Sequence, residues 1–255
     1  MRLTFVKDRT PDCLNLGSVT QLLPAAVLWD MDGTLVDTEP YWLAAEAELV
    51  SEFGGLWSQE DGLTLVGSGL WRAATILQSR GVALTEDEII VRLTDRVLEQ
   101  IEIDVPWRPG SLELLAELRS AGIPTALVTM SIRRMAEYVT SRIPGLPQGA
   151  FDYVIAGDSV TNSKPHPEAY LLAAELLGVD ATDCVAIEDS STGIASAVAS
   201  GAVSIGVPLH VPLEVGNGYT IWPTLVGRGV SDIAELFSSV KDSEKEDVEK
   251  TESVT

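Results

Sequence analysis

Short apolar runs alternate along the chain with longer stretches whose apolar residues recur every three or four positions. Residues 25–29 (AAVLW) form an unbroken apolar run, the mark of a strand covered on both faces. IPTALVT (123–129), DCVAIED (183–189) and AVSIGV (202–207) repeat it, and FDYVIAG (151–157) is a weaker version. Helical spacing falls between them, over 110–120, 132–142, 166–177 and 192–201. Gly178 stops the third of these helices and Gly201 the fourth. Strands separated by helices predict an α/β fold, a doubly wound parallel sheet with helices on both faces. Such sheets bind ligands at the carboxyl ends of their strands.

Residues 38–108 break the alternation. They carry helical spacing over 41–53, 69–80 and 85–102, and they hold Trp42, Trp57, Trp71 and Trp107. A small helical domain inserted after the first strand accounts for this, with PWRPG (106–110) as the return hinge. The expected organisation is therefore an extension over 1–24, a core over 25–37 and 109–240, and a helical cap over 38–108. The last stretch, 241–255, is almost wholly charged or polar and is expected to be disordered.

Composition narrows the function classes. The net charge of −21 argues against nucleic acid and anionic membrane as partners, since both need a basic surface. Cys13 and Cys184 match no metal-ligand spacing, and a reduced compartment is the natural reading of so few cysteines. No signal-peptide core stands near the start, and no run of about 18 apolar residues occurs. A cytoplasmic, soluble monomer is expected.

Polar residues gather where the strands end. Asp30 and Asp32 follow the first strand, Thr129 and Ser131 the second, Lys164 opens KPHPEAY, and Glu188 and Asp189 follow CVAI. A parallel sheet brings all of them to one edge. Four carboxylates facing one ammonium and two hydroxyls repel one another strongly. A hard divalent cation with oxygen ligands resolves that, and Mg²⁺ suits a sparse carboxylate set completed by water and a substrate phosphate.

Together, DMDGTLVDTEP (30–40), Thr129, SKPHPEAY (163–170) and AIEDSSTGIASAVASG (186–201) resemble the haloacid dehalogenase superfamily, in its β-phosphoglucomutase-like and phosphatase branch. The resemblance spans most of residues 25–206. It implies an α/β Rossmann-like core with a helical cap and a Mg²⁺-dependent phosphatase acting on a small phosphorylated metabolite. Asp30 would be the nucleophile that forms an aspartyl-phosphate. Asp32 would be the general acid–base, with its backbone carbonyl on the metal. Thr129 and Lys164 would hold phosphate oxygens, and Lys164 would also pair with Asp30. Gly33 would turn the chain beside the phosphate, and Ser131 would join the phosphate site. Asp30, Asp32, Glu188 and Asp189 would form the metal site, with Glu188 open between a direct ligand and an acceptor behind one.

One position departs from the pattern. Met130 stands where the family often has Asn after the second-motif hydroxyl. A sugar-phosphate mutase is the alternative activity, and a non-catalytic phosphometabolite-binding protein is a further one. A mutase needs a second phosphate clamp, for which the cap offers Arg72 and Arg80 but no lysine. Leu65–Arg72 is the cap stretch expected to reach the site, with Arg72 touching substrate. Asp37 reads as a helix-entry residue, His166 and Ser190 as helix starts, and the cap tryptophans as packing, with Trp71 an exception that could touch substrate.

Overall fold

The computed structural model describes residues 13–15, 20–146, 149–216 and 218–252. Near the start, β1 (Cys13–Asn15) and β2 (Thr20–Leu22) pair antiparallel. The main sheet has six parallel strands. They are β3 (Ala26–Trp29), β4 (Thr125–Val128), β5 (Tyr153–Ile155), β6 (Cys184–Glu188), β7 (Val203–Gly206) and β8 (Tyr219–Ile221). Their spatial order is β5-β4-β3-β6-β7-β8. The chain leaves β3 toward β4 and β5 on one side, then returns to β6, β7 and β8 on the other. The order therefore reverses between β3 and its neighbours, where such sheets open a crevice for ligands.

Helices α1 (Glu39–Glu52), α2 (Gln59–Leu63), α3 (Leu70–Ser79) and α4 (Glu86–Ile103) lie between β3 and the rest of the sheet. The remaining helices are α5 (Ser111–Ser120), α6 (Arg133–Ser141), α7 (Glu168–Leu177), α8 (Ser191–Ser200) and α9 (Val230–Glu252). Alternate residues of each strand feed opposite faces of the sheet. On one face Val27, Trp29, Leu127, Val185 and Ile187 join one apolar cluster with Leu114, Met135 and Phe237 of α5, α6 and α9. On the other, Ala26, Leu28, Ala126 and Ala186 pack with Ala169, Tyr170 and Ala197 of α7 and α8. Two covered faces explain why the central strands read as unbroken apolar runs.

In the insert, Leu49, Leu77, Ile89, Leu93 and Val97 are buried together. Thr85 and Glu88 form a reciprocal cap at the start of α4, and Ser58 and Asp61 do the same for α2. The five-residue α2 and the half-buried β8 are not visible in the periodicity, because neither is long enough to repeat a pattern.

Two expectations about the ends need correction. Residues 241–252, expected to be disordered, continue α9 as helix. The buried Ile233, Ala234 and Phe237 anchor the front of that helix. Propagation from an anchored turn is cheap for Lys- and Glu-rich sequence. Lys241 pairs with Glu244 at 2.9 Å and Lys245 with Asp242 at 3.4 Å, each one turn away. The 1–24 extension, expected to be loose, carries the β1–β2 pair, buries Leu23, and ties to α9 through a 2.8 Å bond from the Leu22 N–H to Ser238 Oγ. Residues 1–12, 16–19 and 253–255 lie outside the described residues. Among the described residues, no helix is long and apolar enough to cross a membrane.

Candidate active site

Asp30 extends β3 by one residue, its N–H bonding to Ile187 O at 3.0 Å. The chain then folds back sharply. Gly33 has φ +86°, and its N–H reaches Val36 O at 2.7 Å. A Cβ at Gly33 would sit 2.1 Å from Asp189 Oδ2, so glycine is required both by the backbone and by the carboxylate pressed against it. Arg108, in the return hinge, locks this turn. Its Nη1 donates to Gly33 O and to Val207 O, each at 2.6 Å, which ties the β3 turn to the end of β7. The hinge reading identified the segment but not this buried guanidinium.

Lys164 is the hub. Its Nζ donates to Asp30 Oδ1 at 2.8 Å, to Val128 O at 2.8 Å and to Glu188 Oε1 at 2.6 Å. All three ammonium protons are used. Tyr170, from α7, donates its hydroxyl to the same Glu188 oxygen at 2.7 Å, and Lys164 Nζ lies 5.0 Å from its ring centroid. Burial alone would lower the Lys164 pKa, but the Asp30 and Glu188 carboxylates outweigh it and hold the ammonium above its usual value. The Met130 sulfur accepts the Lys164 N–H at 3.3 Å, so the departure in the second motif holds the lysine-bearing loop.

Asp32 is oriented by four donors. Thr38 Oγ1 (2.5 Å) and Trp42 Nε1 (3.3 Å) bind Oδ1, while Ser131 Oγ (2.8 Å) and Thr129 Oγ1 (3.2 Å) bind Oδ2. Thr38 and Trp42 belong to the entry into the insert and its first helix, so Asp32 joins the cap to the strand ends. Trp42, read as packing alone, is also a polar partner of the site. Thr129 and Ser131 both serve this carboxylate, and the Ser131 N–H bonds back to Thr129 Oγ1 at 3.0 Å.

Asp30, Glu188 and Asp189 each offer an oxygen, and these lie within 4.8 Å of one another. The Asp32 side chain is not part of that group. Asp30 Oδ2 is buried without a hydrogen-bond partner among the described residues. Burial, and then repulsion from Glu188, raise the Asp30 pKa to about 7 despite Lys164. Burial, with Asp30 and Glu188 beside it, pushes Asp189 well above the carboxylate range. Three crowded carboxylates, with one Asp30 oxygen unsatisfied, fit a hard divalent cation such as Mg²⁺. Gly193 lets α8 come down on the cluster, for a Cβ there would fall 1.9 Å from Glu188 Oε2. Ser190 caps α8 by accepting the Gly193 N–H.

A cleft opens over these groups. Asp30, Asp32, Thr129, Ser131, Lys164 and Asp189 form its floor, and Leu65, Val66, Gly67, Ser68 and Leu70 part of its roof. The Leu65–Leu70 stretch therefore reaches the site as expected, but Arg72 does not. It is exposed and lies outside the cleft lining, one residue past the helical position of Trp71, which does not line the cleft either. Glu39 and Glu46, missed in the sequence, do line it.

Glu46 gives a pH signature. Burial, and then Glu39 nearby, raise its pKa to about 8 from an ordinary 4.5. A carboxyl with a raised folded-state pKa stabilises most below its unfolded value, and that stability is lost as pH rises toward the folded value. Wild type should thus lose melting temperature relative to Glu46→Gln between about pH 5 and pH 8. Parallel melting curves across that window would count against the buried carboxyl.

Residues 24–201 match the family described as haloacid dehalogenase-like hydrolase. The chain belongs to this family. Among curated proteins, hexitol phosphatase B of Escherichia coli is 31% identical over 186 residues, 72% of this chain and 83% of that protein. The fructose-1-phosphate phosphatase of the same organism is 31% identical over 185 residues, 72% of this chain and 97% of that one. Among solved structures, CbbY from Rhodobacter sphaeroides in complex with phosphate matches with a TM-score of 0.73 and 28% identity, covering 83% of this chain and 99% of that one. The β-phosphoglucomutase of Clostridium difficile shares the fold, at a TM-score of 0.74 and 22% identity over 86% of this chain and 99% of its own. As a haloacid dehalogenase-like hydrolase, the chain carries its charged motif groups at the strand ends of one sheet, under one cleft.

Proposed function

We propose that this hydrolase is a Mg²⁺-dependent phosphatase that cleaves a small phosphorylated sugar or polyol through an aspartyl-phosphate on Asp30. The observation that carries the reading is the Asp30 carboxylate. One oxygen is held by Lys164, the other is buried with no partner among the described residues, and Asp30 lines the cleft floor. An oxygen left unsatisfied at that position is costly unless the site uses it. The phosphatases of Escherichia coli similar to this chain support the substrate class.

In this reading Asp30 Oδ2 attacks phosphorus and the ester oxygen leaves, taking a proton from Asp32. Asp32 then removes a proton from the water that attacks the aspartyl-phosphate, releasing phosphate and restoring Asp30. The four donors around Asp32 keep it beside the reacting oxygens and out of line for attack. Lys164, fixed by Glu188 and Tyr170, holds Asp30 and offers charge to the phosphoryl oxygens. Asp30, Glu188, Asp189 and the Asp32 carbonyl would hold Mg²⁺, which would supply positive charge against the phosphate. Leu65, Val66 and Leu70 in the roof keep bulk water out. The same reading has the protein acting alone as a cytoplasmic monomer, with its buried Cys184 thiol reduced.

Hydrolysis is favoured over phosphoryl migration. The mutase needs a cationic clamp in the cap. Arg72 lies outside the cleft lining, and Arg80 pairs with Asp61 at 2.8 Å and covers the Trp57 ring. The test is hydrolysis of a chromogenic phosphate ester with and without Mg²⁺. Background rates under both conditions reject the enzyme, and turnover only after a bisphosphate primer favours the mutase. Asp189→Ala should raise the Mg²⁺ concentration for half-maximal rate by about tenfold or more. An unchanged metal titration would remove Asp189 from the ligand set.

A further inference from the structure

The cap side of the cleft has an unusual balance of charge. Glu39, Trp42, Glu46 and Ser68 supply its polar groups, and no arginine or lysine of the cap lines it among the described residues. The single ammonium in the lining, Lys164, is fully engaged by Asp30, Val128 O and Glu188. Glu46 is only 5% exposed, yet it lies on the inner face of α1 and borders the cleft. Trp57 Nε1 donates to its Oε2 at 3.1 Å, and no described group binds Oε1. Gly62 presses against the same carboxyl, since a Cβ there would come within 3.1 Å of Oε2. Glu46 is therefore held at Oε2, its Oε1 has no donor among the described residues, and the residue borders the cleft.

We propose that Glu46, together with Glu39, is the specificity-determining pair for the leaving group, selecting a neutral, hydroxyl-rich monophosphate over a substrate with a second phosphate or carboxylate. This rests on the phosphatase reading above. A carboxylate accepts hydrogen bonds and repels anions, and both effects grow in a cleft with little water. A second anionic group on the substrate would meet two acids and no unpaired cation. A hydroxyl offers the donor that Glu46 Oε1 lacks. Burial raises Glu39 to about 7 and Glu46 to about 8, so the repulsion of anions is fully present only above about pH 8.

The experiment uses the full chain at about pH 9, where both carboxyls are ionised, and measures kcat/KM for three esters: a hexitol monophosphate, a hexose bisphosphate and p-nitrophenyl phosphate, which carries no free hydroxyl. Wild type should prefer the hexitol monophosphate to the bisphosphate by about 100-fold. Glu46→Ala should lower the hexitol to p-nitrophenyl ratio by about tenfold or more, and should narrow the preference against the bisphosphate. Glu46→Gln keeps the volume and the Trp57 acceptor, so it carries the test if the alanine variant unfolds; its bisphosphate discrimination should narrow as well. Glu39→Gln should act in the same direction. Ratios within about twofold of wild type in all three variants overturn the proposal. So does a wild-type preference for the bisphosphate. A wild type inert toward every ester removes the phosphatase reading itself, whereas turnover without this pattern removes only the specificity pair.

Discussion

Asp30→Asn should lower kcat by about 10³-fold or more while leaving the fold intact. The amide has nearly the shape of the carboxylate, and its oxygen can still accept from Lys164 Nζ. It cannot serve as the nucleophile that forms an acyl-phosphate. Removing a negative charge beside Glu188 and Asp189 also relieves the repulsion that adds to burial in raising Asp189 above its usual pKa. Without added metal, the variant should therefore melt at the wild-type temperature or higher. Steady-state rates with saturating Mg²⁺ and a melting curve without it check both halves. Equal kcat in the two proteins would sink the nucleophile assignment, and a large fall in melting temperature would show that Asp30 is chiefly structural.

Lys164→Met should be among the most destabilising single substitutions in the chain, at about 3–5 kcal/mol. Lys164 is 6% exposed, and its ammonium binds two carboxylates and a strand-end carbonyl. Methionine fills much of its volume but leaves Asp30 and Glu188 buried without a counter-charge. The cost comes from those orphaned carboxylates more than from the lost bonds. For a domain of this size the melting temperature should fall by roughly 10 °C. Adding Glu188→Gln should return part of the loss, because the glutamine can keep the Tyr170 bond without a charge, and a double-mutant cycle reads the coupling. A fall below about 1 kcal/mol would show that water already shares the ion pair.

Much of the core was legible because its physics is local. A strand covered on both faces must be apolar at every position, so residues 26–29, 125–128 and 184–188 stood out without reference to any partner. Gly178 and Gly201 end α7 and α8 in the left-handed region that glycine enters freely. The carboxylates were identifiable because they stand where strands end, and parallel strands point their carboxyl ends the same way; Lys164, in the loop between β5 and α7, was identifiable from its SKPHPEAY motif. The errors arose where local composition was weighed against a neighbour it could not reveal. The charged stretch after Val240 lacks apolar residues of its own, but it extends a helix already seated on the core. Arg72 has the charge a phosphate site wants, but its place on α3 points to solvent while Ala73 beside it is buried.

Sequence alone determined the α/β alternation, the helical insert, and which titratable groups stand at strand ends, since these follow from periodicity and chain order. Tertiary structure alone decided what those groups do to one another. It set Tyr170 and Glu188 behind Lys164, Arg108 across the Gly33 turn, and Thr38 and Trp42 on Asp32, leaving one oxygen of Asp30 free. It also turned Glu46, one acidic residue among many in an acidic helix, into a buried wall of the cleft. The reason is physical: a pattern records which residues seek burial, but hydrogen-bond direction, desolvation and like-charge repulsion exist only between groups that folding has brought within a few ångströms.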